Sequence, residues 1–178
     1  MVKSRLSIRD YCFIAIFVAV IAVLAQISIP MPLGVPLTLQ TFAVPLAGAV
    51  LGAKRGAVAA IVYLLLGAVG APVFAQFGGG LHRLVGPRGG YLLSYPFFAF
   101  AVGFGADKGT RLWLALGLIV GSIINLSMGM FQLALVGRLT ILEAFLAGVA
   151  PFLIVELIKL VMVFIVAPKL RQILERFR

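Results

Sequence analysis

The sequence predicts an all-α integral membrane protein, a bundle of six transmembrane helices. Three observations carry that expectation. The chain has 178 residues, of which 63% are hydrophobic and only 11% charged, where a soluble domain carries about 25% charged residues. Its mean hydropathy is +1.19. A span needs roughly 20 mostly apolar residues, so with its loops this length holds about six short helices in one domain (1–178), with no room for a separate soluble one.

The elements follow in order. Met1 to Asp10 is a basic, polar leader. The apolar run behind it is long and has no small-residue cleavage site, so it reads as a first span, about 11–29, rather than a signal peptide. Ala15, Ala19, Ala22 and Ala25 fall mostly on one face of that span. Small residues let another helix approach closely, either within the bundle or from a partner protein. The single Cys12 is expected to be a small buried hydrophobe, and it excludes a disulfide framework. Ile29 to Gln40 (IPMPLGVPLTLQ) carries Pro30, Pro32 and Pro36, which forbid regular helix. This apolar, stiffened outer loop 1 is a lid or a plain connector. The second span, about 38–53, contains Pro45 as an expected kink and Gly48 and Gly52 for close packing. Lys54 and Arg55 end it. The third span, about 56–74, begins with Gly56.

Gly70 to Tyr91 interrupts the apolar runs with seven glycines, two prolines, the only histidine, and Arg83 and Arg88. Three successive glycines (Gly78, Gly79, Gly80) do not continue a helix cheaply. Gly-Pro-Arg-Gly-Gly at residues 86–90 reads as a tight turn. Val73, Phe74, Phe77, Leu81, Leu84 and Val85 are too apolar for a solvated, disordered segment. The stretch therefore reads as a folded loop that presents Gln76, His82, Arg83 and Arg88. The fourth span (about 89–106, with Pro96), a polar turn at 107–111, the fifth span (112–136, with Asn125 and Gln132), a short loop at 137–143 and the sixth span (146–166) follow. The tail from Pro168 to Arg178 reads as a basic amphipathic end.

Charge fixes the expected orientation. Fifteen Lys and Arg against five Asp and Glu give a net charge of +10. The cations are scattered at helix ends rather than set on one polar face, which argues against nucleic acid. Eleven of the fifteen lie on the two termini, the second-to-third turn and the fourth-to-fifth turn. The positive-inside rule then puts both termini in the cytoplasm and turns the Pro-rich and Gly-rich loops outward. The expected location is the cytoplasmic membrane.

Glu156 and Lys159 are the sharpest chemical signal, three residues apart in an otherwise apolar helix, so that they share a face. Charge at membrane depth is expensive and faces a cavity or a partner. The pair is either an internal salt bridge, a ligand site or a proton path. Arg88 and Arg83 offer forks suited to a carboxylate, or to lipid headgroups. Gln40, Gln76, Asn125 and Gln132 carry amides that suit a urea or amide group, and amides also join helices. Tyr91 follows the glycine turn and is placed to wall a site. Tyr63, Tyr95 and Trp113 are expected at the interface with Tyr-like belts. The sequence holds no Walker A loop, nucleophile elbow or zinc motif, so neither an enzyme nor a cofactor or metal is expected.

Four segments in this order resemble one family: PLGVPLTLQT at 32–41, LAGAVLG at 46–52, YLLLGAVGAPVFA at 63–75 and GPRGGYLL at 86–93. Together with Glu156-x-x-Lys159 they are similar to the biotin-specific substrate-binding (S) subunits of energy-coupling factor transporters, the BioY family. The resemblance runs from the first span to the last. It implies six helices, an outward-facing pocket capped by the first loop, and biotin as ligand. It also implies that Ala15 and Ala19 dock on a transmembrane scaffold (T) subunit driven by a pair of ATPase (A) subunits. On that basis Glu156, Gln76 and Asn125 are assigned to the ureido group and Lys159 and Arg88 to the carboxylate, with Gln40 and Tyr91 beside them. The alternative is a proton-coupled secondary transporter of a small anionic nutrient that uses Glu156 and Lys159 as a relay.

Overall fold

A computed structural model describes residues 7–29 and 35–176. Helix α2 (Gln40–Leu51) is the element that the others surround, with ten of its 12 residues buried. Its composition explains this: Ala43, Ala47, Gly48 and Ala49 leave room on every side, so neighbours close in around it. The carbonyl of Ala99 in α6 (Tyr95–Asp107) occupies the space that a side chain at Gly48 would need. Gly56 of α3 (Ala53–Ala68) packs in the same way on the Gly48 backbone. Gly103 of α6 packs on Ala53. Small residues thus replace the hydrophobic driving force that lipid cannot supply.

Helix α1 (Ile8–Gln26) starts with a reciprocal capping box between Ser7 and Asp10. Asp10 is buried and paired with Arg55 Nε at 2.9 Å, which ties the foot of α1 to α3. After α1 the chain forms a two-stranded antiparallel hairpin, β1 (Ser28–Ile29) with β2 (Leu37–Thr38), in register Ser28 to Thr38 and Ile29 to Leu37. Pro30 and Pro32 of the Pro-rich loop lie outside the described residues, as do Lys3, Arg5 and Arg178. Between α2 and α3 the chain reverses at Gly52, whose φ of +87° is left-handed. A side chain there would meet the Asp107 carboxylate, which instead accepts the Ala53 N–H at 3.0 Å and caps α3.

The Gly-rich segment folds as a 3-10 turn at Ala75–Phe77 and a short helix α4 (His82–Val85). Then come α5 (Gly89–Leu93), which bends at Ser94 into α6, and α7 (Arg111–Gly137), 27 residues long and capped by Thr110. A second capping box, Thr140 with Glu143, opens α8 (Ile141–Gly148). A 3-10 turn at Ala150–Phe152 leads into α9 (Leu153–Arg176).

Among the described residues four helical stretches are long and apolar enough to cross a membrane: Ile8–Gln26, Gly89–Asp107, Arg111–Gly137 and Ile141–Arg176. Gln40–Leu51 is apolar but shorter. Their outward faces carry exposed Ile119, Ile123, Phe131, Ile154, Leu157, Ile158 and Val161, an apolar coat of the kind that lipid covers.

Several sequence expectations are corrected. The last helical stretch is interrupted rather than continuous: α8 ends at Gly148 and α9 begins at Leu153 after the 3-10 turn, because Pro151 has no N–H to continue the helical ladder. It also runs through Pro168 to Arg176, so the tail continues the span instead of forming a separate end. The third helix stops at Ala68, six residues early, where Gly70 takes a φ of +104°. Tyr63 and Tyr95 are 0% and 2% exposed and belong to the core, not to an interfacial belt, since α2 and α6 enclose them. Trp113 is half exposed with Lys108 Nζ 5.9 Å from its ring centre. Cys12 is exposed on the outer face of α1 rather than buried. The alanine stripe divides: Ala15 and Ala19 face outward, while Ala25 is in the core.

Candidate functional site

A cavity with about 800 Å³ of empty space, counting its open mouth, lies between β2, the start of α2, the Gly-rich segment, α5, α6, α7 and α9. Its buried end is built on α9. Glu156 and Lys159 are each 5% exposed there and face the first turn of α2. Thr41 Oγ1 donates to Glu156 Oε2 at 2.7 Å. Lys159 Nζ donates to Thr41 Oγ1 and to the Thr38 carbonyl, both at 2.8 Å, and to Glu156 Oε2 at 3.5 Å. An ammonium has three donors, and here all three have acceptors within the protein. Glu156 Oε1, by contrast, is buried without a donor among the described residues.

Asn125 of α7 is fully buried and repeats the pattern. Its Nδ2 donates to the Tyr91 carbonyl at 3.0 Å and to Ser94 Oγ at 2.6 Å, while Oδ1 has no donor among the described residues. Both unsatisfied oxygens belong to residues that line the cavity. Buried acceptors without donors are rare in native proteins because each costs about 1–3 kcal/mol. Gln40 has a partner at each end of its amide: Thr38 Oγ1 donates to its Oε1 at 3.0 Å, and its Nε2 donates to Tyr63 OH at 2.6 Å.

The mouth is built differently. Arg83 and Arg88 line it and are half-buried. Among the described residues neither has an ion pair or a side-chain hydrogen bond. Burial, and then the neighbouring Arg83 charge, push the Arg88 guanidinium below its ordinary pKa. Gln76 reaches the cavity from an exposed position in the 3-10 turn. The segment carrying the arginines is fastened from beneath by Gln132, whose Nε2 donates to the carbonyls of Leu84 (2.8 Å) and Gly86 (2.7 Å). Side chains at Gly89 and Gly90 would collide with the carbonyls of Leu84 and Met128, so the turn needs both glycines. Phe74, Leu92, Tyr95 and Phe152 make apolar walls. Tyr91 joins them and donates its hydroxyl to the Gly148 carbonyl at 2.7 Å.

All seven candidate ligand residues, Gln40, Gln76, Arg88, Tyr91, Asn125, Glu156 and Lys159, line this one cavity. Gln132 does not; its amide holds a loop. The sequence reading missed Thr38, Thr41, Ser94 and Tyr95. Thr41 is a polar residue at the head of an apolar helix, a weak signal whose partner 115 residues away no local pattern announces. Among the described residues no cluster of His, Cys, Asp or Glu could hold a metal. The arrangement can recognise a small molecule that brings donors to the buried acceptors and an anion to the mouth, with an apolar middle.

The BioY family model matches residues 1–176. The chain is 40% identical over 163 residues to a probable biotin transporter BioY of Pyrococcus horikoshii, covering 92% of this chain and 96% of that one. It is 43% identical over 159 residues to the biotin transporter BioY of Thermotoga maritima, covering 89% and 93%. The fold matches the crystal structure of an S-component for biotin from an ECF-type ABC transporter with a TM-score of 0.85, over 97% of this chain and 95% of that one, at 24% identity. The family match spans almost the whole chain and the relatives align over nearly their full lengths, so the chain belongs to the BioY family.

Proposed function

We propose that this protein is the biotin-binding membrane subunit of an ECF-type vitamin importer, a transport protein and not an enzyme. The observation that carries the reading is the pair of buried oxygens, Glu156 Oε1 and Asn125 Oδ1, that have no donor among the described residues, on the wall of one cavity whose mouth carries two guanidiniums unpaired among those residues. Biotin has a ureido ring with two N–H donors, an apolar thiophane and a valerate carboxylate. In this reading the ureido N–H groups meet Glu156 and Asn125, the thiophane lies against Phe74, Tyr91, Leu92 and Phe152, and the carboxylate meets Arg88, with Arg83 beside it and Gln76 at the rim. Lys159 acts mainly by holding Glu156, because its three donors are already used. Gln40 supports the β2–α2 corner. The names of the curated relatives support biotin as the ligand.

The finer architecture belongs to the same reading. We take the chain as one membrane domain of six spans, α1, α2, α3, α5 with α6, α7 and α9. The two short ones are tolerated because protein, not lipid, surrounds α2 and much of α3. Lys54, Arg55, Lys108, Arg111, Lys169 and Arg171 then lie on the cytoplasmic side with both termini, and the two unusual loops face outward. Ala15 and Ala19, exposed on α1, are the surface for the scaffold subunit, which the ATPase subunits drive. Calorimetry of the purified protein in detergent tests the reading. Tight one-to-one binding of biotin with no heat from thiamine is expected. No heat from biotin with folded protein overturns it.

A further inference from the structure

Gln26 is the last residue of α1, and nothing in its sequence neighbourhood marks it. Its side chain nevertheless reaches across to the Gly-rich segment. The two N–H groups of Nε2 are shared among three carbonyls, that of Ala22 at 3.0 Å and those of Val73 and Phe74, both at 3.3 Å. Oε1 accepts the Phe77 N–H at 2.8 Å. One amide thus grips both sides of the 3-10 turn Ala75–Phe77.

That turn is strained. Gln76 and Phe77 have φ values of 60° and 53°, the left-handed region that side chains other than glycine seldom enter. Such conformations persist only where the surroundings over-determine them. Here the Phe74–Gly78 bridge closes the turn, with N–O distances of 2.9 and 3.1 Å. Tyr63 OH donates to the same Val73 carbonyl at 2.9 Å. Three of the four Gln26 bonds supply the rest of the constraint. The consequence lies one residue away: Gln76, held in this backbone, lines the cavity mouth.

We propose that Gln26 is a positioning residue of the cavity mouth, which fixes the left-handed turn so that the Gln76 side chain stays at the ligand. It acts through Gln76 and is not itself among the residues that line the cavity. Because Gln26 ends α1, the helix with Ala15 and Ala19 on its outer face, a shift of that helix moves the mouth with it. Only the ligand readout rests on biotin being the substrate.

The test uses the full chain in detergent, with biotin titration and amide exchange at Phe77 in the ligand-free protein. Gln26→Met keeps the length and removes the bonds. It is expected to weaken biotin binding by about tenfold, the worth of one or two hydrogen bonds, and to accelerate Phe77 exchange. Added to Gln76→Ala, it should cause no further loss. Gln26→Glu keeps an acceptor for Phe77 and should retain its protection even if Gln26→Met proves poorly folded. Additive losses in the double variant, or Phe77 exchange that ignores Gln26→Met, overturn the proposal. If the wild type binds no biotin while the exchange results hold, the substrate reading fails and the positioning role stands.

Discussion

At the buried end of the cavity Lys159 donates to Thr38, Thr41 and Glu156, whereas at the mouth Arg83 and Arg88 bond to none of the described residues. The difference follows from what surrounds each charge. Buried in the bundle interior, an ammonium is stable only with acceptors for its donors. At the half-exposed mouth water and counter-ions serve an unpaired guanidinium at little cost. The buried end is therefore pre-shaped, and in the proposed reading the acceptors it leaves, Glu156 Oε1 and Asn125 Oδ1, are the ones the ligand meets. The mouth supplies attraction without commitment to one geometry. In the proposed reading, charge buried with its partners gives selectivity, and charge left at the rim gives capture.

Mutations should separate the two regions by size and by salt dependence. The largest effect is expected from Lys159→Ala, which strands Glu156 and empties two hydrogen bonds. Breaking a buried pair costs about 3–5 kcal/mol, so thermal unfolding should fall sharply and biotin affinity should drop more than about a hundredfold. An affinity within a factor of two of wild type would refute a prebuilt buried end. Glu156→Gln keeps the shape but removes the charge-assisted acceptor. It should weaken biotin by roughly 10- to 100-fold in calorimetry, at low and high salt alike. If its effect instead fades with salt, the buried end is wetter than the structure implies.

Arg88→Gln sharpens the comparison from the other side. A loss of about three- to tenfold at low ionic strength is expected, shrinking toward nothing near 1 M salt, where screening acts over about 3 Å. A large, salt-insensitive loss would move Arg88 into the fixed part of the site. The smallest effect on affinity belongs to Ala19→Leu, far from both regions on the outer face of α1. Biotin binding should be unchanged, while co-purification with the scaffold subunit should be lost. Retained co-purification would place that interface elsewhere.

The membrane class was legible because composition alone decides it: runs of Ile, Leu, Val and Phe this long have no other stable solvent. The Glu156–Lys159 spacing was equally plain, since two charges three apart in an apolar run share one helical face. The Gly70–Tyr91 interruption announced itself through glycine and proline. Other features were hidden for physical reasons. Tyr63 looks like any interfacial tyrosine until α2 closes over it and Gln40 meets its hydroxyl. Gln132 and Gln76 are the same side chain in sequence. Only the approach of the Leu84 and Gly86 carbonyls makes one a fastener, and only a left-handed turn brings the other to the cavity.

The sequence by itself determined the membrane solvent and the mostly helical class, because hydropathy acts locally along the chain. Which oxygens stay unpaired was decided by the tertiary structure alone. Glu156 Oε2 is taken and Oε1 left free because Thr41, 115 residues distant, arrives on one side only. Asn125 spends its donors on Tyr91 and Ser94 for the same reason. Hydrogen bonds in a bundle are settled by which helices touch, and that contact is written in no single stretch of the chain.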